Sequence, residues 1–232
     1  LGLVSVSQQT LSALNEHFPK VKDDKRNAVI YNVVDFSGVA SQVPRQLEDN
    51  GERPFLITVA QHRKNKNLDL LIKAYAALRQ SDRIHPDTRL ILVGSSGPET
   101  EALMDLVRSL ALEQQVLFLS GLTDEALRWL YEQASLFVIA SSTEGFCLPL
   151  VEALTLSCAT VCSDIPILRE VGSTQCRYFD LNQSADSGAQ QHLMAAIAAE
   201  LAIRKDRKQP TENRFSSAHI AGQLLDFYSL FK

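Results

Sequence analysis

Between residues 55 and 179 the chain alternates short apolar runs with amphipathic stretches, and this rhythm restricts its fold more than any other feature. The runs fall at 55–60, 90–93, 116–119, 136–140, 160–162 and 177–179. Most are almost continuously apolar rather than alternating, which predicts strands buried on both faces. The stretches between them carry apolar residues at helical spacing and predict helices over 67–78, 99–112, 124–133 and, more briefly, 167–170. Thr123 or Asp124 is placed to cap the third of these. Strands of this kind separated by helices imply an α/β fold, with about six parallel strands covered on both faces.

The flanks are less regular. Residues 4–7 alternate like a short strand, and Leu11, Leu14 and Phe18 mark a helix over 8–18 that Pro19 stops. A second short strand is expected at 29–32. Residues 35–54, with Gly38, Pro44, Gly51 and Pro54 and little apolar periodicity, read as a linker or loop. Beyond Phe179 come an alanine-rich helix over 187–202, a charged break at 204–208, and a final amphipathic helix over 216–230.

Composition excludes several classes of function. Of the 232 residues 45% are hydrophobic and 22% charged, which is ordinary for a globular domain. A net charge of −4 argues against a nucleic-acid surface. No apolar run reaches the roughly 18 residues of a membrane span, and no signal pattern is visible, so a cytoplasmic location is expected. Peripheral contact of a full-length enzyme with the inner face of a membrane is compatible with this. Cys147, Cys158, Cys162 and Cys176 lack the companions of a metal cluster and read as buried reduced thiols.

The segment with chemical potential is 141–152, Ser-Ser-Thr-Glu-Gly-Phe-Cys-Leu-Pro-Leu-Val-Glu, between a buried strand and a helix start. Ligands of open α/β sheets bind in such loops. Ser141 with Glu144 fits a capping box, which would make both mere helix-start chemistry. That helix, however, would hold Gly145 and Pro149 inside it, and interior proline costs about 3 kcal/mol. A start near Leu148 or Pro149 is expected instead. Glu144 then stands in the loop, and the amides of Gly145, Phe146, Cys147 and Leu148 form an anion site at a helix N-terminus, suited to a diphosphate. Glu152 is expected in the first turn, its Cβ tilted back toward the mouth.

Glu144 to Glu152, with seven residues between them, resembles the paired-glutamate motif of retaining glycosyltransferases of the GT-B fold, the glycosyl transferases group one. The resemblance extends over the chain: the segments at 4–7 and 29–35, Lys66-Asn67 with Leu70, Leu71 and Ala74, Leu92-Val93-Gly94, 118–121, Ala153-Leu154, Asp164-Ile165-Pro166 and Glu170-Val171-Gly172. It implies a Rossmann-like donor-binding domain over 55–212, the C-terminal half of a GT-B enzyme. A remnant of the acceptor domain is implied at 1–35, a linker at 36–54, and a crossover helix at 213–232. That helix should pack against residues 4–18 or expose its apolar face.

By the same resemblance, Lys66 meets the diphosphate, Glu144 the sugar hydroxyls and Glu152 the ribose hydroxyls, while the base lies near Gly121 and Leu122. No cofactor and no metal are implied, since the substrate is a nucleoside diphosphate sugar such as a UDP-, GDP- or ADP-sugar. The acceptor is an unspecified sugar, lipid or protein. Retention is usually explained in the family without an enzyme nucleophile, so neither glutamate is given that role. Where many members have arginine this chain has Gln61, and His62 or Arg63 is left to supply the charge. Cys147 and Ser157 stand where glycine is frequent, as small changes that tune packing. The fragment alone is expected to be a poor or inactive catalyst. The alternative is a nucleotide-sugar-binding module without transfer activity; a sugar-nucleotide epimerase also stays open. A dinucleotide oxidoreductase fits badly, because 61–67 holds no glycine.

Overall fold

A computed structural model describes residues 2–19, 27–50, 53–181, 186–203 and 214–231. The charged break at 204–208 lies outside the described residues. Near the N-terminus β1 (Val4–Ser5) pairs in parallel with β2 (Ala28–Val29), and α1 (Gln8–His17) lies between them in sequence. Ser7 caps α1, its side chain accepting from the Thr10 N–H at 3.0 Å. The second strand is shorter than expected, and beyond it Tyr31 stacks on Phe146 and packs at a tilt against Phe215.

The main sheet comprises β3 (Phe55–Val59), β4 (Arg89–Val93), β5 (Val116–Leu119), β6 (Leu136–Ile139), β7 (Thr160–Ser163) and β8 (Arg177–Phe179). Their order is β5-β4-β3-β6-β7-β8, and every pairing is parallel. The helices are α2 (Leu68–Gln80), α3 (Thr100–Ser109), α4 (Asp124–Gln133), α5 (Leu148–Thr155), α6 (Pro166–Gly172), α7 (Asp186–Ala202) and α8 (Ser217–Ser229).

Side chains of a strand alternate between its faces, and two cores result. Phe55, Ile57, Ile91, Val93, Phe137 and Ile139 pack with α4, α5 and α6. Leu56, Leu90, Leu92, Leu136 and Val138 pack with α2, α3 and α7. The apolar runs are thus buried on both sides of a doubly wound sheet. Glu200 of α7, 5% exposed, is met by Arg177 of β8 at 3.0 Å.

The connector over 35–54 has more structure than its composition suggests. It is tied to α4, since the Arg128 guanidinium donates to the carbonyls of Phe36 and Val39 and the Gln42 N–H donates to the Glu125 carbonyl. A 3₁₀ turn over Arg45–Asn50 then buries Leu47 to 2% exposure. Helix α8 takes the second of its two expected courses: of its apolar residues Ile220 is buried, whereas Leu225 and Tyr228 are 71% and 63% exposed.

Candidate functional site

The strand order reverses between β3 and β6, which are neighbours although their connections run to opposite edges of the sheet. At such a reversal the two loops leaving the carboxyl ends diverge and open a crevice. The loop after β3 holds Gln61 to Asn67, and the loop after β6 holds Ser141 to Cys147. Both segments singled out in the sequence therefore meet at the switch point.

Polar contacts join the two loops. The Ser142 N–H donates to the Asn65 carbonyl at 2.8 Å, and the Asn65 side chain returns a bond to the Thr143 carbonyl at 3.2 Å. Asn67, held left-handed at φ 47°, donates its amide to the Ala140 carbonyl at 2.8 Å. Lys66 Nζ lies 2.5 Å from Glu144 Oε1, with the two side chains 19% and 11% exposed. Nothing in the local sequence marked Asn65 or the role of the Asn67 side chain; both act across the switch point.

Helix α5 begins at Leu148 with Pro149 next, which overturns the capping-box alternative: Ser141 lies well before the helix and Cys147 is its N-cap residue. Among the described residues the amides of Gly145, Phe146, Cys147 and Leu148 have no backbone acceptor. The Gly145 carbonyl is held from the other side by the hydroxyls of Ser7 (3.0 Å) and Thr10 (3.3 Å). Two expectations need correction here. Glu152 falls in the second turn rather than the first. Cys147 is no mere packing change, because its φ is +71°, a left-handed conformation that glycine adopts without cost. Ser157, at φ +56°, stands in the same condition.

Lys66, Arg63, Asn65, Gln61, Gly94 and Pro149 surround an open cleft of about 480 Å³. Gly94 is required there: a Cβ on it would lie 2.0 Å from the Ala60 carbonyl oxygen, so β3 and β4 can come this close only without a side chain. Of the two stand-ins for the family arginine, His62 is buried and does not line the cleft. The residue is 3% exposed, its ring hydrogen-bonded through Nδ1 to Thr100 Oγ1 at 2.9 Å and set edge-on to Phe118, and burial pulls its pKa down. Arg63 is exposed and lines the cleft.

The Phe146 ring turns away into the Tyr31–Phe215 cluster, leaving its amide as the group available to a ligand. Burial, with the nearby Glu144, raises the Cys147 thiol to about 12, so it stays protonated. Glu152 is partly buried and its carboxyl is pushed up by burial, partly offset by a 2.8 Å hydrogen bond from the Tyr131 hydroxyl. Tyr131 was not legible as a site residue, since its spacing on α4 is that of a core position. Gly121 and Leu122 stand at the end of β5, two strands from β3, and do not line this cleft.

A larger cavity, about 870 Å³, lies by the turn Leu154 to Ser157, which feeds the amino end of β7. Its arginines are already engaged: Arg128 by Glu132 and two carbonyls, Arg214 by the carbonyls of Glu170 and Val171. The smaller cleft holds the convergent polar groups and is the candidate site.

Comparison with known proteins agrees with this geometry. The family described as glycosyl transferases group 1 matches residues 40–214, well over half of the chain. The N-acetylgalactosamine-N,N'-diacetylbacillosaminyl-diphospho-undecaprenol 4-alpha-N-acetylgalactosaminyltransferase of Campylobacter jejuni is 33% identical over 141 residues, covering 60% of this chain and 35% of its own. The N-acetyl-alpha-D-glucosaminyl L-malate synthase of Bacillus anthracis is 30% identical over 190 residues, covering 77% and 48%. The chain thus spans between a third and a half of the length of these two relatives. Among solved structures, Anabaena HepE in complex with UDP and glucose superposes with a TM-score of 0.75 at 20% identity, covering 97% of this chain and 62% of that one. WaaG, a glycosyltransferase involved in lipopolysaccharide biosynthesis, gives 0.68 at 20% identity, covering 98% and 60%. Both structures share the fold, and the sequence match runs across the sheet and its switch-point loops: this chain belongs to the glycosyl transferases group 1 family.

Proposed function

We propose that this chain is the donor-binding half of a retaining glycosyltransferase, taking a hexose from a nucleoside diphosphate sugar to an acceptor sugar, lipid or protein. The observation that carries this reading is the Lys66–Glu144 pair at the switch point, beside four amides without backbone acceptors. Breaking the anomeric bond puts charge on the leaving diphosphate, and preorganised donors aimed there stabilise it. Lys66, Arg63 and the amides of residues 145–148 supply those donors without a metal. Glu144 accepts from the sugar hydroxyls and Glu152 from the ribose diol, a task for which a carboxylate has free lone pairs. The relative solved with UDP and glucose supports a nucleotide and a hexose as the bound pair. Residues 55–212 form the donor domain in this reading, 1–35 belong to the acceptor side, 36–54 link the two, and 213–232 cross back.

A thermal-shift panel of UDP, GDP, ADP and their sugars tests it. One nucleotide should raise the melting temperature, and Glu152→Ala should lose most of that shift. Lys66→Ala, which removes a charge-assisted hydrogen bond of about 1.5–3 kcal/mol, should weaken binding roughly 10- to 100-fold. No shift with any nucleotide at millimolar concentration would sink the reading.

A further inference from the structure

Helix α4 contributes no residue to the cleft lining, yet one of its side chains reaches a glutamate on α5 assigned to the ligand. Tyr131 is fully buried, with its ring edge-on to Phe137 at 5.3 Å and 78°, which fixes where its hydroxyl points. That hydroxyl donates to Glu152 Oε2 at 2.8 Å. Among the described residues no hydrogen bond engages Glu152 Oε1, and the residue is only partly buried. A phenylalanine would fill the core equally well. The hydroxyl therefore calls for an explanation beyond packing.

We propose that Tyr131 is a positioning residue for donor binding: its hydroxyl holds Glu152 by one carboxylate oxygen so that the other is presented to the ribose diol. This rests on the donor-binding reading and adds a residue from outside the cleft to it. Two neutral partners would also satisfy each other here, but a phenol donating to a carboxylate does more, since a hydrogen bond to the charged form favours that form. The other titratable groups facing the pair are Asp124 at the start of α4 and the thiols of Cys147 and Cys158, none of them a cation. Asp124 and burial both oppose ionisation of Glu152, and the Tyr131 hydroxyl is what opposes them. Without it the carboxyl should take up its proton at higher pH.

The test measures binding of UDP-, GDP- and ADP-glucose by calorimetry, on the 232-residue chain, Tyr131→Phe, Glu152→Gln and the double variant. Whichever nucleotide sugar binds is repeated as its 2′,3′-dideoxyribose analogue, and the Glu152 carboxyl is titrated by carbon NMR. Tyr131→Phe should weaken the parent compound about tenfold, as expected for one orienting hydrogen bond to a charged group. It should leave the dideoxy analogue within about twofold, add little to Glu152→Gln, and move both the Glu152 titration and the acid limb of binding to higher pH. Equal weakening of parent and analogue, or an unmoved Glu152 titration, would show a structural role and overturn the proposal. Absence of binding by the unsubstituted chain overturns the donor reading itself, and is told apart because no variant is needed to see it.

Discussion

In the proposed role, Glu152 trades stability for the ability to bind. Burial is the largest influence on its carboxyl and raises the pKa, the Tyr131 hydrogen bond lowers it, and Asp124 raises it further. The net effect is upward. A carboxyl whose pKa is higher in the folded chain than in the unfolded one binds more protons when folded, over the window between the two values. Stability contributed by this group is therefore present at low pH and lost as pH rises from the ordinary glutamate range through the raised value. Glu152→Gln, which mimics the protonated form, should melt higher than the parent chain at neutral pH, with a gap that closes as pH is lowered through that window. Paired melting curves from pH 4 to 8 read this directly; a gap that widened toward acid would contradict the assignment. The same substitution should weaken ribose binding, so it separates stability from function at one position.

At the scale of elements, three helices end in the same way, and sequence reading found the endings only in part. After α2, α3 and α5 the chain turns left-handed at Asp82, Ala111 and Ser157, with φ of 52°, 52° and 56°. In each case the next residue's N–H returns to a carbonyl in the last turn: Arg83 to Leu78, Leu112 to Val107, Cys158 to Ala153. This is the paired hydrogen-bond ending that usually places glycine at the left-handed residue. The helix over 99–112 reads too long in the sequence because no glycine marks its true end at Ser109. The six strands of the main sheet were legible almost to the residue, since burial leaves a nearly unbroken apolar run. The helix start at Leu148 was legible through Pro149 and Glu144 through its place in the loop, whereas Lys66 was legible through the family resemblance. Tyr131, Asn65 and Asn67 were not, because their partners lie 21, 78 and 73 residues away and local spacing carries no trace of them. Ala111 is exposed and contributes only a methyl group in an unfavourable conformation. A left-handed alanine costs about 1–2 kcal/mol, and glycine gives back about 0.4–1 kcal/mol through the unfolded chain. Ala111→Gly should therefore stabilise by about 0.5–1 kcal/mol, a melting rise of roughly 2 °C, without altering nucleotide binding.

Across the whole molecule, the two ends of the described chain and the candidate site are joined through one node. The Glu170 carboxylate accepts from the N–H groups of Gln8 and Gln9 at the start of α1, at 2.7 and 3.2 Å. Its own carbonyl accepts from Arg214, whose guanidinium lies 4.6 Å from the Phe215 ring centroid, just before α8. Phe215 in turn contacts Tyr31, beyond β2, and Phe146 of the site loop, at centroid distances of 5.5 and 5.9 Å. The loop whose amides face the proposed diphosphate is thus braced from behind by residues distant in sequence on both sides. Aromatic packing of this kind adds about 0.5–1.5 kcal/mol per pair to the burial itself, and loss of a buried phenylalanine costs about 3–5 kcal/mol in all. Phe215 belongs to the core shared with α4, α5 and α6, and Phe215→Ala removes its two ring contacts in the node. Hydrogen exchange should show protection falling together at residues 29–31 and 145–150, while β4 and β6 exchange as before. Donor affinity should fall with the loop, although Phe215 itself does not line the cleft. If instead the whole sheet lost protection in step, the node would be a part of the global core rather than a local brace, and the link between the chain ends and the site would fail.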